Sequence, residues 1–171
     1  AEERKSIISA PIHYTVKLDL TRGAKDFGSE TTITFDAKPG ESSFLDLIAN
    51  EVSEITLNGE TLDPAEAYAD SRIELKNLAA HNEVTVKAMC QYSNTGEGLH
   101  RSVDPSDGNV YLYTQFEVPD ARRVYAVFDQ PDLKAVFKSS VLAPCSWIVT
   151  SNMPVESTED TGQMTLDGTL G

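Results

Sequence analysis

The chain has 171 residues, 40% of them hydrophobic, and a formal net charge of -13 from 14 basic and 27 acidic side chains. That length suits one domain burying roughly two thirds of its unfolded surface, and the acidic balance speaks against nucleic-acid backbones and anionic membrane surfaces, which select basic patches. No run approaches the ~20 apolar residues of a membrane span, and the opening Ala1-Glu2-Glu3-Arg4-Lys5-Ser6 lacks the apolar core of a secretion signal, so a cytoplasmic protein is expected.

From Ile12 the chain alternates: Ile12, Tyr14, Val16, Leu18 and Leu20 are apolar, whereas His13, Thr15, Lys17 and Asp19 are polar. A period of two predicts a strand with one wet face. Shorter runs predict further strands at Thr32–Phe35, Phe44–Ile48, Val52–Leu57, Arg72–Leu75, Val84–Cys90, Val110–Phe116, Ala135–Leu142 and Trp147–Thr150. Turn residues separate them at Pro39-Gly40, Asn94-Thr95-Gly96 and Asp107-Gly108. Asn58-Gly59 is the strongest hairpin signal, because a tight primed turn needs positive φ at both central residues. The expected fold is all-β, an antiparallel β-sandwich or saddle-shaped pair of sheets. One short helix is expected over Asp120–Phe128, where Ala121, Val124, Tyr125 and Phe128 form a helical stripe and Asp120 is placed to cap it. Residues 1–154 read as one β-domain, and 155–171 as a polar tail without a stable terminal element.

Two cysteines, Cys90 and Cys145, are too few for a disulfide scaffold and read as buried thiols. His13, His81 and His100 lie on unlike segments, so no metal is expected in this chain. Asp104-Pro105-Ser106-Asp107-Gly108 lacks the alternating ligand register of a calcium loop and reads as a polar turn. The glycines of residues 94–101 lack the spacing of a phosphate cradle, no nucleophile stands beside a base, and lone Trp147 reads as core.

The densest polar chemistry lies between Tyr111 and Phe137. Gln115 and Glu117 share one side of a strand end by the period of two. Glu117 has two readings: a solvated carboxylate near a helix start, or a carboxylate that, with the Gln115 carboxamide, accepts hydrogen bonds from an ammonium group. Asp120, Arg122, Arg123, Asp129, Pro131 and Asp132 read as a structural corner, held by ion pairs and hydrogen bonds each contributing about 0 to 1 kcal/mol at the surface.

Thr114-Gln115-Phe116-Glu117, Asp120-Ala121-Arg122-Arg123 and Phe128-Asp129-Gln130-Pro131-Asp132-Leu133-Lys134-Ala135 together resemble the N-terminal domain of the aminopeptidase N family. Residues 94–101, Leu57-Asn58-Gly59, and Trp147 with Ser151-Asn152 extend the likeness, which is most specific over residues 94–152 and points to the bacterial members. One departure is Ala126-Val127, where relatives commonly have Pro-Cys, a change expected to affect turn rigidity only. The resemblance implies the first part of a zinc metallopeptidase whose parent chain holds the zinc in a separate catalytic domain. H-E-x-x-H does not occur here, so this chain is expected to be inert alone and to hold no catalytic residue. It further implies that Glu117 helps bind the free α-amino group of a peptide N-terminus and that Gln115 lines the pocket for the first side chain, with that catalytic domain as partner. From a different class, a free-standing β-sandwich module binding a protein or carbohydrate is the competing expectation.

Overall fold

The alternation from Ile12 becomes the spine of the largest sheet. In the computed structural model, residues 7–94, 98–115, 120–128, 135–142, 157–159 and 163–166 are described. Strand β1 (Ile8–Asp19) pairs antiparallel with β2 (Asp26–Ala37), turning Ile12, Tyr14 and Val16 inward and His13 and Lys17 to solvent. Next in space come β8 (His81–Gln91), β4 (Glu51–Leu57) and β5 (Glu60–Leu62). On its other side β1 pairs parallel with β11 (Ala135–Leu142), the one parallel neighbour in a sheet otherwise antiparallel among the described residues. A parallel pair requires a long crossover, and the second and third sheets are built within the chain that connects the two strands.

Strand β2 runs for 12 residues, where only Thr32–Phe35 was expected. Its inward set is Phe27, Ser29, Thr31, Ile33, Phe35 and Ala37, and the two hydroxyl residues conceal the period of two from a reading based on apolarity. The opposite difference occurs at the chain's end. Residues expected as a polar tail include β12 (Ser157–Glu159) and β13 (Gln163–Leu166), which pair with each other and extend the large sheet beyond β11.

A three-stranded sheet comprises β3 (Ser43–Asp46), β7 (Arg72–Leu75) and β6 (Tyr68–Ala69). Leu45, Ile73 and Leu75 from it join Ile33, Ile55, Val84 and Val86 of the large sheet in one buried apolar cluster. Each such side chain contributes about 1.5 to 3 kcal/mol on burial. Before β6 stands α1 (Pro64–Ala67), a single turn that sequence periodicity is too coarse to detect. Its local signal is Asp63-Pro64: the Asp63 carboxylate accepts from the Ala65 amide at 3.0 Å, and proline occupies a position whose amide has no helical partner anyway. The β4–β5 hairpin turns at Asn58 (φ 52°) and Gly59 (φ 82°), as its dipeptide predicts. The third sheet is a two-stranded ribbon of β9 (Gly98–Val103) and β10 (Val110–Gln115).

Candidate functional site

The stretch expected as a helix over Asp120–Phe128 forms only a 3-10 turn, Asp120–Arg123. In an α-helix the Arg122 carbonyl would accept from residue 126, and the Val127 amide would donate to residue 123. Both groups are committed elsewhere. The Ile48 amide donates to the Arg122 carbonyl at 2.7 Å, and Asp46 and Val127 exchange a pair of backbone bonds at 2.7 and 3.0 Å. The corner is thus stitched to the end of β3. Val124 and Phe128 of the expected apolar stripe are buried, together with Ala126 and Val127, while Tyr125 is partly buried, so the short helix is confined to the 3-10 turn and the burial follows the corner beyond it. The Phe128 amide donates to the Tyr14 hydroxyl at 3.1 Å, and the Phe128 ring meets Phe35 edge-on with centroids 5.0 Å apart. The Cys90 thiol lies 3.8 Å from the Val124 carbonyl, and burial pushes that thiol up to about 12.

The ribbon carries Gln115 to this corner. Its ladder begins at Val110 opposite Val103 and ends at Gln115 opposite Gly98. Leu99 is buried and Leu112 packs against the core, which fixes one face inward. On the other face Tyr111 and Tyr113 are about half exposed, and His100 stacks on Tyr113 with ring centroids 4.7 Å apart. Strand alternation places Tyr111 and Tyr113 on that same outer face. The hairpin connection is the polar turn expected from sequence. Asp104 accepts from the Ser106 amide and hydroxyl at 2.7 and 2.6 Å, and the Asp107 carboxylate accepts from the Asn109 amide and the Tyr111 hydroxyl. These bonds hold both carboxyls below their ordinary range.

Of the residues expected to form the site and corner, Gln115 ends the ladder and Asp120, Arg122 and Arg123 lie on the 3-10 turn. Glu117, Asp129, Pro131 and Asp132 lie outside the described residues, as do Cys145 and Trp147. The Arg122 Nε is buried without a hydrogen-bond partner among the described residues. The aromatic face of the ribbon went unremarked in sequence, although Tyr111 and Tyr113 at a spacing of two were its signal. His13 and His81, on the separate strands β1 and β8, line one shallow cavity with Asp36 and Glu83. His81 Nδ1 lies 2.5 Å from Asp36 Oδ1 in an exposed pair, brought together by the register that places Asp36 opposite His81.

The sequence profile of the Peptidase M1 N-terminal domain matches residues 10–167. This chain belongs to the M1 peptidase family as its N-terminal domain. Aminopeptidase N of Streptomyces lividans is 53% identical over 165 residues, covering 94% of this chain and 19% of that protein. Probable aminopeptidase 1 of Sulfurisphaera tokodaii is 34% identical over 129 residues, covering 72% of this chain and 15% of that protein. Among solved structures, Legionella pneumophila aminopeptidase A in complex with aspartic acid superposes with a TM-score of 0.76 at 16% identity, over 94% of this chain and 20% of that one, a likeness of fold. The M1 domain therefore spans about a fifth of the length of its relatives.

The zinc implied by this family finds no holder among the described residues of the M1 domain, where no three His, Cys, Asp or Glu side chains converge on a common point. His81 of the cavity above is engaged with Asp36, and His100 is stacked on Tyr113 on another sheet. No described helix is long and apolar enough to cross a membrane.

Proposed function

We propose that this M1 domain is the substrate-anchoring part of a zinc aminopeptidase, in which Glu117 receives the free α-amino group of a peptide and Gln115 borders the first side chain. The observation that carries this reading is where β10 ends: its last rung, Gln115 opposite Gly98, stands beside a corner tied by backbone bonds to β3. Glu117 follows that rung by two residues of sequence, and a measuring device requires a supported strand end. An exopeptidase must count from the chain terminus. A carboxylate shielded from water discriminates an ammonium group from an internal peptide bond, and holding the terminus fixes which carbonyl is presented to the reaction. The metal, held in a separate domain of the parent chain, supplies carbonyl polarisation and water activation when bound.

The catalytic domain is the partner in this reading, and the outer face bearing Tyr111, Tyr113 and His100 continues toward the same strand end. The M1 domain alone is expected to release no amino acid from aminoacyl substrates. In the full-length parent, Glu117→Ala is expected to lower kcat/KM for such substrates by about 2 to 4 kcal/mol, the range seen when one member of a buried charged contact is removed. Steady-state kinetics indistinguishable from wild type would contradict the assignment.

A further inference from the structure

The geometry points to Gly98 as a positioning residue that sets the spacing between the Gln115 end of β10 and the corner at Arg123; this inference rests on the anchoring role proposed above. Gly98 is the ladder partner of Gln115, so displacement of one strand end displaces the other. Its φ of +68° lies in the left-handed region that side chains of L residues rarely adopt. Space is equally restrictive. A Cβ at residue 98 would lie 3.1 Å from the Arg123 Cβ, 3.5 Å from the Arg123 Cδ and 3.8 Å from a Val124 methyl. The nearest of these atoms is attached directly to backbone and cannot swing away.

Which side would yield is decided by how each is held. The corner is tied through Arg122 and Val127 to Ile48 and Asp46, through Phe128 to Tyr14, and by the burial of Val124. Near Gly98 the ribbon is bonded through the Ser93 amide to the Leu99 carbonyl and the Arg101 amide to the Ser93 carbonyl, both 2.9 Å, and packs inward through Leu99 and Leu112, without the strand-to-corner stitching seen at Asp46 and Val127. A side chain at 98 therefore shifts the ribbon end at Gln115, two residues of sequence before Glu117. The expected effect is specific to the substrate's amine: a strand end moved by a few tenths of an ångström loses its geometry toward an ammonium group while the rest of the pocket persists.

The test uses the full-length parent enzyme and two competitive inhibitors, L-leucinol and isohexanol, which differ by one amine. Gly98→Ala is expected to reduce the preference for L-leucinol over isohexanol about tenfold, with isohexanol inhibition unchanged within about twofold. Loss of folded protein alone would lower the maximal rate and leave both inhibition constants, and so the preference, unchanged. Glu117→Gln, measured in parallel, is expected to reduce the same preference. An unchanged preference in Gly98→Ala beside a reduced one in Glu117→Gln overturns the role of Gly98 and leaves the anchor standing. An unchanged preference in Glu117→Gln removes the anchor and the positioning role together. If Gly98→Ala does not fold, the pair Gly98→Ala/Arg123→Gly, which deletes the facing Cβ, is expected to fold and to recover the preference within about threefold. Failure of the pair to fold, or to recover it, overturns the contact as the reason for glycine.

Discussion

Tyr14 reaches from the centre of the large sheet to the corner, and its hydroxyl takes the Phe128 amide at 3.1 Å while its ring is 3% exposed. Tyr14→Phe keeps the ring and strands a buried amide, so it is expected to cost about 1 to 3 kcal/mol in urea denaturation; a change within experimental scatter would mean that the corner finds another acceptor. That Tyr14 faces inward was readable from its place in the alternation Ile12, Tyr14, Val16. Its partner was not, because 114 residues separate the two and a hydroxyl's bond leaves no periodic trace. Gln115 shows the same division. Its strand was readable from sequence, but the ladder partner Gly98 and the close approach to Arg123 exist only once the chain is folded.

At the scale of elements, the hairpin at Asn58-Gly59 shows local chemistry and tertiary contact in agreement. Asn58 accepts from the Glu83 amide at 2.8 Å and donates to Asn82 Oδ1 at 3.0 Å, so the turn is fastened to β8 as well as formed by its own φ preference. Asn82 is buried and also bridges both backbone groups of Ala79, at 2.9 and 2.8 Å. Asn82→Ala removes these bonds at once and is expected to destabilise the M1 domain by about 2 to 4 kcal/mol, more than Asn58→Ala, in chemical denaturation of both variants. Equal losses would place the turn's own geometry ahead of the network. Asn82 escaped the sequence reading because a polar residue at an inward position breaks the apolar pattern. The corner shows the reverse failure: Val124, Tyr125 and Phe128 have helical spacing, yet Asp46 of β3 and Ile48 just beyond it claim the amide and carbonyl groups a helix would need. Apolar spacing reports which residues are buried, and the competition for backbone partners decides the element.

Across the whole molecule, the β-rich architecture followed from strand alternation and turn residues, whereas the parallel pairing of β1 with β11 and the order of strands depend on contacts that local patterns do not encode. Burial also sets how the fold responds to alkali. Burial pushes the Cys90 thiol up to about 12 from 9.0, and the phenols of Tyr92 and Tyr125 up to about 12 from 10.0. As pH rises above the ordinary thiol and phenol range, the unfolded chain releases protons that the folded chain retains. Stability is therefore expected to be complete below about pH 9 and to fall as pH rises toward 12. Denaturation at about pH 8 and about pH 10.5 measures the slope, which Cys90→Ala should flatten; an equal slope in the variant would remove Cys90 from the cause.

The most direct measurement is a crystal structure of the full-length parent with L-leucinol bound. The expected result is a Glu117 carboxylate oxygen about 3 Å from the inhibitor's amine, with the Gln115 side chain bordering the leucyl group. A well-ordered inhibitor whose amine is held entirely by other residues, with Glu117 turned to solvent, would contradict the anchoring function assigned to this M1 domain.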